Sequence, residues 1–160
     1  MKKVLLTLCL FAGFGVVIAQ EETTLSDEEL TSYATVMVWG KLEKSNMTGI
    51  YNGWISESDE LAAKRFSEIK KAKGDSVKLE MLEVNDTELT AFNTIQMKYD
   101  SMIDSFRTTY KGKIKEEIGN GLYNKIRKAL KTDAELKSKY QAIYDGILEE
   151  QSAKKAESDE

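Results

Sequence analysis

A six-residue motif, x-(S/N/T)-D-x-E-L, occurs three times in this 160-residue chain, and each copy has the composition of a helix start. The copies are LSDEEL from Leu25, VNDTEL from Val84 and KTDAEL from Lys131. In a capping box, a Ser, Thr or Asn side chain accepts a hydrogen bond from the first helical turn, and a Glu three residues later accepts one in return. The motif predicts three such boxes, formed by Ser26 with Glu29, Asn85 with Glu88, and Thr132 with Glu135.

The residues that follow each copy have the spacing of packed helices. After Val84, apolar side chains recur at intervals of three and four residues with one polar residue in a gap, which is the heptad seam of packed helices. They are Leu89, Phe92, Tyr99, Ile103, Phe106 and Tyr110. The same spacing follows Thr132, and it also follows Ser26, where it weakens near Gly40 and then resumes. Residues 26–57 therefore form either one long helix or two.

The predicted fold class is all-α, a bundle of four to six helices with heptad-like seams. Further helices are predicted near residues 58–73 and 121–131. Residues 75–84 can be loop, helix or strand, because apolar residues alternate there but no partner strand exists, which favours a loop or a frayed helix entry. We expect residues 20–150 to form one domain. The segment 151–160 has no apolar pattern and is predicted to be a disordered polar tail.

The N-terminal residues have the layout of a secretory signal peptide. Lys2 and Lys3 precede an apolar run from Val4 to Ile18, and small or branched residues lead to a predicted cleavage between Ala19 and Gln20. The run is shorter than the ~20 residues that a spanning helix needs, so an uncleaved anchor is the less favoured alternative. Residues 1–19 are thus predicted to be removed on export, leaving a periplasmic or secreted protein without membrane insertion.

The charge balance disfavours two classes of partner. Residues 1–19 hold two of the 23 basic residues and none of the 27 acidic ones, so the remaining chain has a formal net charge of −6. An acidic chain is repelled by nucleic acid and by an anionic membrane surface, and we expect neither as the main partner.

The residue types that are missing also limit the chemistry. The chain has no His, and its one Cys, Cys9, lies in the predicted signal peptide. Cysteine and serine nucleophiles with an imidazole base are therefore excluded, as is the usual zinc site. Paired-carboxylate chemistry remains possible by composition, but no spacing supports it. The sequence predicts no catalytic, cofactor-binding or metal residue, no cofactor, and a protein that is not an enzyme.

Trp39 is the one candidate interaction residue. It follows Leu30 by nine positions, which at about 100° per residue places it opposite the seam of its helix. An exposed Trp there would mark a contact surface. Cover by another helix is the favoured alternative, because bundles often bury both sides of a central helix. Trp54 lies on the seam and is predicted to be in the core.

Two stretches resemble a family of small exported bacterial proteins that is known as a domain of unknown function. The opening Ser26-Asp27-Glu28-Glu29-Leu30, followed by Tyr33-Ala34, is similar to the family's start. Leu122-Tyr123-Asn124-x-Ile126, followed by Thr132-Asp133-Ala134-Glu135-Leu136, is similar to its C-terminal signature. Members commonly have Pro in place of Ala134 and a shorter middle. The resemblance implies an exported helical domain in the envelope of a Gram-negative bacterium, and it implies no catalytic residue.

Two functional hypotheses follow for the exported chain, and an enzyme is a weaker third. One is a structural or interaction module that binds a protein partner in the envelope through a helical surface. The other is a periplasmic chaperone or carrier that binds unfolded chains or apolar ligands between its helices. The sequence identifies neither the partner nor the oligomeric state.

Overall fold

A computed structural model of the protein describes residues 25–72 and 74–158. Over those residues the chain forms helices α1 Asp27–Ser56, α2 Ala63–Ala72, α3 Ser76–Met81, α4 Asp86–Lys113, α5 Asn120–Thr132 and α6 Ala134–Ser158, with a π-helical turn Ile114–Ile118 after α4. No strand occurs within the described ranges. The predicted all-α bundle is confirmed. The predicted signal peptide and its cleavage between Ala19 and Gln20 lie outside the described residues.

Two of the three predicted capping boxes are formed. Ser26 Oγ accepts from the backbone N–H of Glu29 at 3.1 Å, and Glu29 Oε2 accepts from the N–H of Ser26 at 2.8 Å. The corresponding bonds between Asn85 and Glu88 are 2.9 and 3.1 Å long. These boxes begin α1 and α4 at the predicted positions.

The third predicted box, Thr132 with Glu135, is wrong by one residue. Thr132 is still the last residue of α5, and its hydroxyl donates to the carbonyl of Ala129 at 3.3 Å. Asp133 forms the cap instead, because its Oδ1 accepts from the N–H of Leu136 at 2.9 Å. Asp is as good a cap as Thr, and Asp133 is the single residue between the end of α5 at Thr132 and the start of α6 at Ala134.

The structure also resolves the segments that the sequence left open. Residues 27–56 form one continuous helix, and Gly49 lies inside it. The segment 75–84 contains the short helix α3, capped by Asp75, rather than a strand. The predicted disordered tail is wrong for residues 151–158, because α6 continues to Ser158 with Lys154 donating to Glu150 one turn away at 2.6 Å.

Helix α1 is the common wall of two apolar clusters. The first cluster lies between the N-terminal half of α1, the π-helical turn, α5 and α6, and its buried members are Leu25, Leu30, Tyr33, Val36, Ile114, Ile118 and Ile126. The second lies between the C-terminal half of α1, α2 and α4, with Tyr51, Leu61, Phe66, Ile69 and Ile95 buried. The face between these clusters, where α1 crosses α4 and α6, contains the candidate site.

An ion pair ties α2 to the start of α4. Arg65 Nε donates to Glu88 Oε1 at 2.7 Å, and another guanidinium nitrogen donates to the carbonyl of Leu82 at 2.6 Å. Glu83 in this connection has a positive φ of 50°. The guanidinium thus satisfies carbonyls left free after α3 and holds the entry to α4 against α2.

The described helices include none with the combination of length and apolar character needed to cross a membrane.

Candidate functional site

Trp39 stands in a stack of three aromatic rings at the crossing of α1 and α4. Its ring centroid is 5.8 Å from that of Phe106 and 6.3 Å from that of Tyr110, with interplanar angles of 14° and 15°. The Phe106 and Tyr110 centroids are 5.5 Å apart. All three side chains are half-buried. Helix α4 therefore covers part of Trp39 and leaves part of it exposed. This outcome is intermediate between the two predicted alternatives, an exposed Trp39 and a Trp39 covered by another helix.

Two ammonium groups lie over this stack. Lys113 Nζ is 5.1 Å from the Trp39 ring centroid, and Lys44 Nζ is 5.5 Å from that of Phe106. Each is within cation–π range, an attraction worth about 0.5–1 kcal/mol at exposed positions. We call the surface formed by Trp39, Phe106, Tyr110, Lys44 and Lys113 the aromatic–lysine face.

Behind this face, tyrosines from four helices meet. The ring of Tyr33 lies 5.5 Å from both Tyr123 and Tyr140, and Tyr140 lies 5.8 Å from Tyr144. Burial, aided by the neighbouring Tyr123 and Tyr33, raises the pKa of Tyr110 to about 12. The pKa of Tyr140 is also raised, mainly by burial. These phenols are therefore neutral at pH 7 and can donate hydrogen bonds.

A groove beside the aromatic–lysine face opens between α1, α4 and α6. It has a volume of about 450 Å³, and we call it the tyrosine groove. It is lined by Met37, Gly40, Lys41, Lys44, Tyr110, Tyr140, Gln141 and Tyr144. The lining contains two lysines and no carboxylate. Two of these lining residues contact each other, because the Tyr110 hydroxyl donates to the sulfur of Met37 at 3.2 Å.

Gly40 permits the close approach that forms this groove. A Cβ atom at this position would lie 2.8 Å from Cε2 of Tyr110, a distance that real Cβ atoms do not show. A glycine here therefore lets the Tyr110 ring pack directly on the backbone of α1. The sequence pattern showed only a weakening of the apolar seam at this position.

A second groove of about 630 Å³ lies where the end of α1 meets the start of α4. Trp54, Lys98, the carboxylates of Glu57, Glu60 and Asp86, and threonines of α4 line it. Lys98 Nζ is 5.7 Å from the Trp54 ring centroid. Trp54 packs against the second apolar cluster, as its place on the seam predicts, but it is half-buried and also faces this groove.

The predicted candidate residues thus separate into two groups. Trp39 lies at the aromatic–lysine face, whereas Ser26, Glu29, Asn85, Glu88 and Glu135 lie at helix starts, consistent with structural roles. Among residues 25–72 and 74–158, no group of three or more acidic side chains is arranged to hold a metal ion. The sequence analysis did not identify Gly40, Lys41 or Tyr144 as site residues. The weakening of the apolar seam near Gly40 is a local signal for the first two, and Tyr144 has no such signal.

Comparisons with family models, with curated proteins and with solved structures gave no match to this chain.

Proposed function

We propose that the protein is an exported helical module of a bacterial envelope that binds a protein partner through the aromatic–lysine face and the tyrosine groove. The observation that carries this proposal is the stack of Trp39, Phe106 and Tyr110, which is only half-buried although its rings are among the largest apolar groups of the chain. Tryptophan, tyrosine and other aromatic residues are enriched at the centres of protein interfaces.

Burial of this stack would supply free energy for binding. Removing apolar surface from water contributes roughly 25 cal/mol per Å². A partner that covers the rings would also exclude water from Lys44 and Lys113, and the cation–π attraction is stronger when water is excluded. The rings are already held in near-parallel orientation by their contacts across α1 and α4. A surface that is ordered before binding loses less conformational entropy when the partner arrives.

The location in the envelope rests on the sequence. The layout of residues 1–19 is typical of a secretory signal peptide, and the stretches around Ser26 and Leu122 resemble an exported family. The proposal includes no catalytic step, no cofactor and no insertion into the membrane after cleavage.

A periplasmic carrier or chaperone is the second candidate. The groove beside Trp54 favours it, because its volume of about 630 Å³ falls within the range of small-molecule sites. Threonines and three carboxylates share its lining with Trp54 and Ile95, however, so an apolar ligand would meet many polar groups.

Photo-crosslinking in the producing bacterium tests the first proposal. A benzophenone side chain at Lys137 would stand one turn from Gln141 on α6, at the rim of the tyrosine groove, without replacing a lining residue. The matched control is the same side chain at Lys71, an exposed residue of α2. We expect a discrete crosslinked protein from position 137 alone. No crosslink at position 137, or equal products from both positions, would contradict the proposal.

A further inference from the structure

The charge of the tyrosine groove is opposite to that of the chain as a whole. The chain has 27 acidic and 23 basic residues, yet the groove is lined by two lysines and by no acidic residue. Lys41 and Lys44 are three positions apart on α1 and so project from the same side of that helix. The groove is therefore a local positive site on an acidic protein.

The ammonium groups of Lys41 and Lys44 have no anionic partner within the described residues. Lys41 Nζ lies 5.7 Å from the ring of Tyr144 and Lys44 Nζ lies 5.5 Å from that of Phe106, but neither lysine forms an ion pair there. By contrast, Lys113 binds Glu117 at 2.7 Å, and Lys139 pairs with Asp27. The rings hold Lys41 and Lys44 at the groove without neutralising them.

Neutral hydrogen-bond donors accompany these charges. The Tyr110 hydroxyl donates to the Met37 sulfur, which is a weak acceptor that an oxygen can replace. The hydroxyls of Tyr140 and Tyr144 donate no hydrogen bond within the described residues. Gln141 donates its amide N–H to Asp145 at 2.9 Å. This carboxylate is not a lining residue, but it lies close enough to help burial raise the pKa of Tyr140, so it is the nearest negative charge to the groove that these contacts show.

We propose that the tyrosine groove binds a carboxylate-bearing segment of an acidic partner protein. In the complex, aromatic or aliphatic side chains of the segment pack on Tyr110, Tyr140 and Tyr144, and its Asp or Glu carboxylates meet Lys41 and Lys44. A charge-assisted hydrogen bond between ammonium and carboxylate is about twice as strong as a neutral one. This inference rests on the proposed function and names the chemistry of the partner.

Other anionic occupants fit less well. Nucleic acid would bring a dense row of phosphates against an exported chain with a formal net charge of −6, and the repulsion would act over its whole length. A membrane surface is broad, whereas the positive charges here stand at a groove of about 450 Å³ between three helices. A short peptide segment is the occupant that reaches both the rings and the ammonium groups.

Peptide binding to the folded protein tests the inference. The probe is a short fluorescein-labelled peptide of alternating glutamate and phenylalanine, and its control has glutamine in place of every glutamate. We expect the glutamate peptide to bind more tightly, with an affinity that falls as salt is added. The double variant Lys41→Gln, Lys44→Gln should weaken that binding by about tenfold, since two exposed charge pairs are lost. The control variant Lys64→Gln, Lys71→Gln on α2 should leave it unchanged.

Three results would overturn the inference. The first is equal affinity for the two peptides, and the second is an equal loss of peptide affinity in both double variants. The third is self-association of the protein that the Lys41→Gln, Lys44→Gln variant abolishes, because the occupant would then be a second copy of the chain. Crosslinking from position 137 separates this inference from the proposed function. A crosslinked partner that persists in the Lys41→Gln, Lys44→Gln variant would support the module and reject the acidic segment.

Discussion

The indole ring of Trp39 lies nearly parallel to the ring of Phe106, with centroids 5.8 Å apart and planes inclined by 14°. Because the two residues belong to α1 and α4, the contact joins the longest helices of the bundle while leaving Trp39 half-exposed. This one contact explains why a residue opposite the apolar seam is neither a free surface group nor part of the core.

Substitution of Trp39 should have a small effect on stability. Trp39→Phe keeps an aromatic ring against Phe106 and should lower the free energy of unfolding by about 1 kcal/mol, within the range of aromatic pair contributions. Trp54→Phe should cost about the same or more, because Trp54 packs on the second apolar cluster. Urea unfolding followed by circular dichroism measures both. A Trp39→Phe variant that fails to fold would make Trp39 a core residue.

Alanine substitutions at the helix caps test which residue caps each helix. Ser26→Ala, Asn85→Ala and Asp133→Ala should each lower the free energy of unfolding by about 1 kcal/mol, because each removes an acceptor for a first-turn N–H. Thr132→Ala should cost much less, since the Thr132 hydroxyl binds a carbonyl within its own helix. Thermal or urea unfolding of the four variants decides the matter. A larger loss for Thr132→Ala than for Asp133→Ala would restore the cap predicted from the sequence.

Gly40 and Gly49 form a matched pair on α1. Gly40→Ala should lower the free energy of unfolding by about 1–3 kcal/mol, because the new Cβ would overlap the ring of Tyr110. Gly49→Ala should raise it by about 0.5–1 kcal/mol, since no atom lies within 4 Å and alanine favours the helix. Denaturant unfolding of the two variants should therefore give changes of opposite sign. Equal changes would mean that α1 does not approach α4 closely at Gly40.

The pairing of Glu88 with Arg65 predicts a dependence of stability on pH. The hydrogen bond from Arg65 lowers the pKa of Glu88 below its usual value. A carboxyl with a lowered pKa adds stability above its unfolded value of about 4.3 and loses that contribution as the pH falls through its folded value. Glu88→Gln, which retains a capping-box residue, should lower the melting temperature at pH 7 and have a smaller effect near about pH 3.

Glu149→Gln is the control for this comparison, because Glu149 is exposed and forms no ion pair in the described part of the chain. Its melting temperature should follow that of the wild type across the pH range. If the difference between Glu88→Gln and wild type were the same at both pH values, the ion pair would contribute nothing.

Local patterns predicted most of the fold because helix starts and apolar spacing are encoded within a few residues. Ser26 and Asn85 were identified from their own hexapeptides. Thr132 was misplaced because Thr132 and Asp133 are both good caps, and only the residue at which α5 ends distinguishes them. The helix beyond residue 150 was missed because its face is polar, so no apolar period marks it.

The candidate site was predicted only in part, because it depends on contacts between distant residues. Trp39 was identified by its phase on the helix, but its partner Phe106 lies on another helix. Met37 and Tyr110, which contact each other in the lining of the tyrosine groove, are 73 positions apart. No local spacing relates them, and the role of Gly40 becomes visible only when the crossing of α1 and α4 is known.

The most direct test of the binding face uses Trp39 as its own reporter. In the Trp54→Phe variant, Trp39 is the only tryptophan, and its fluorescence can be quenched with acrylamide in the free protein and with the acidic peptide bound. We predict partial quenching in the free protein and clear protection on binding, because the ring is half-exposed beside the groove. Trp39 that is fully shielded in the free protein would contradict a partner-binding role for this face, and equal quenching with and without bound peptide would contradict an acidic segment that extends from the groove over the face.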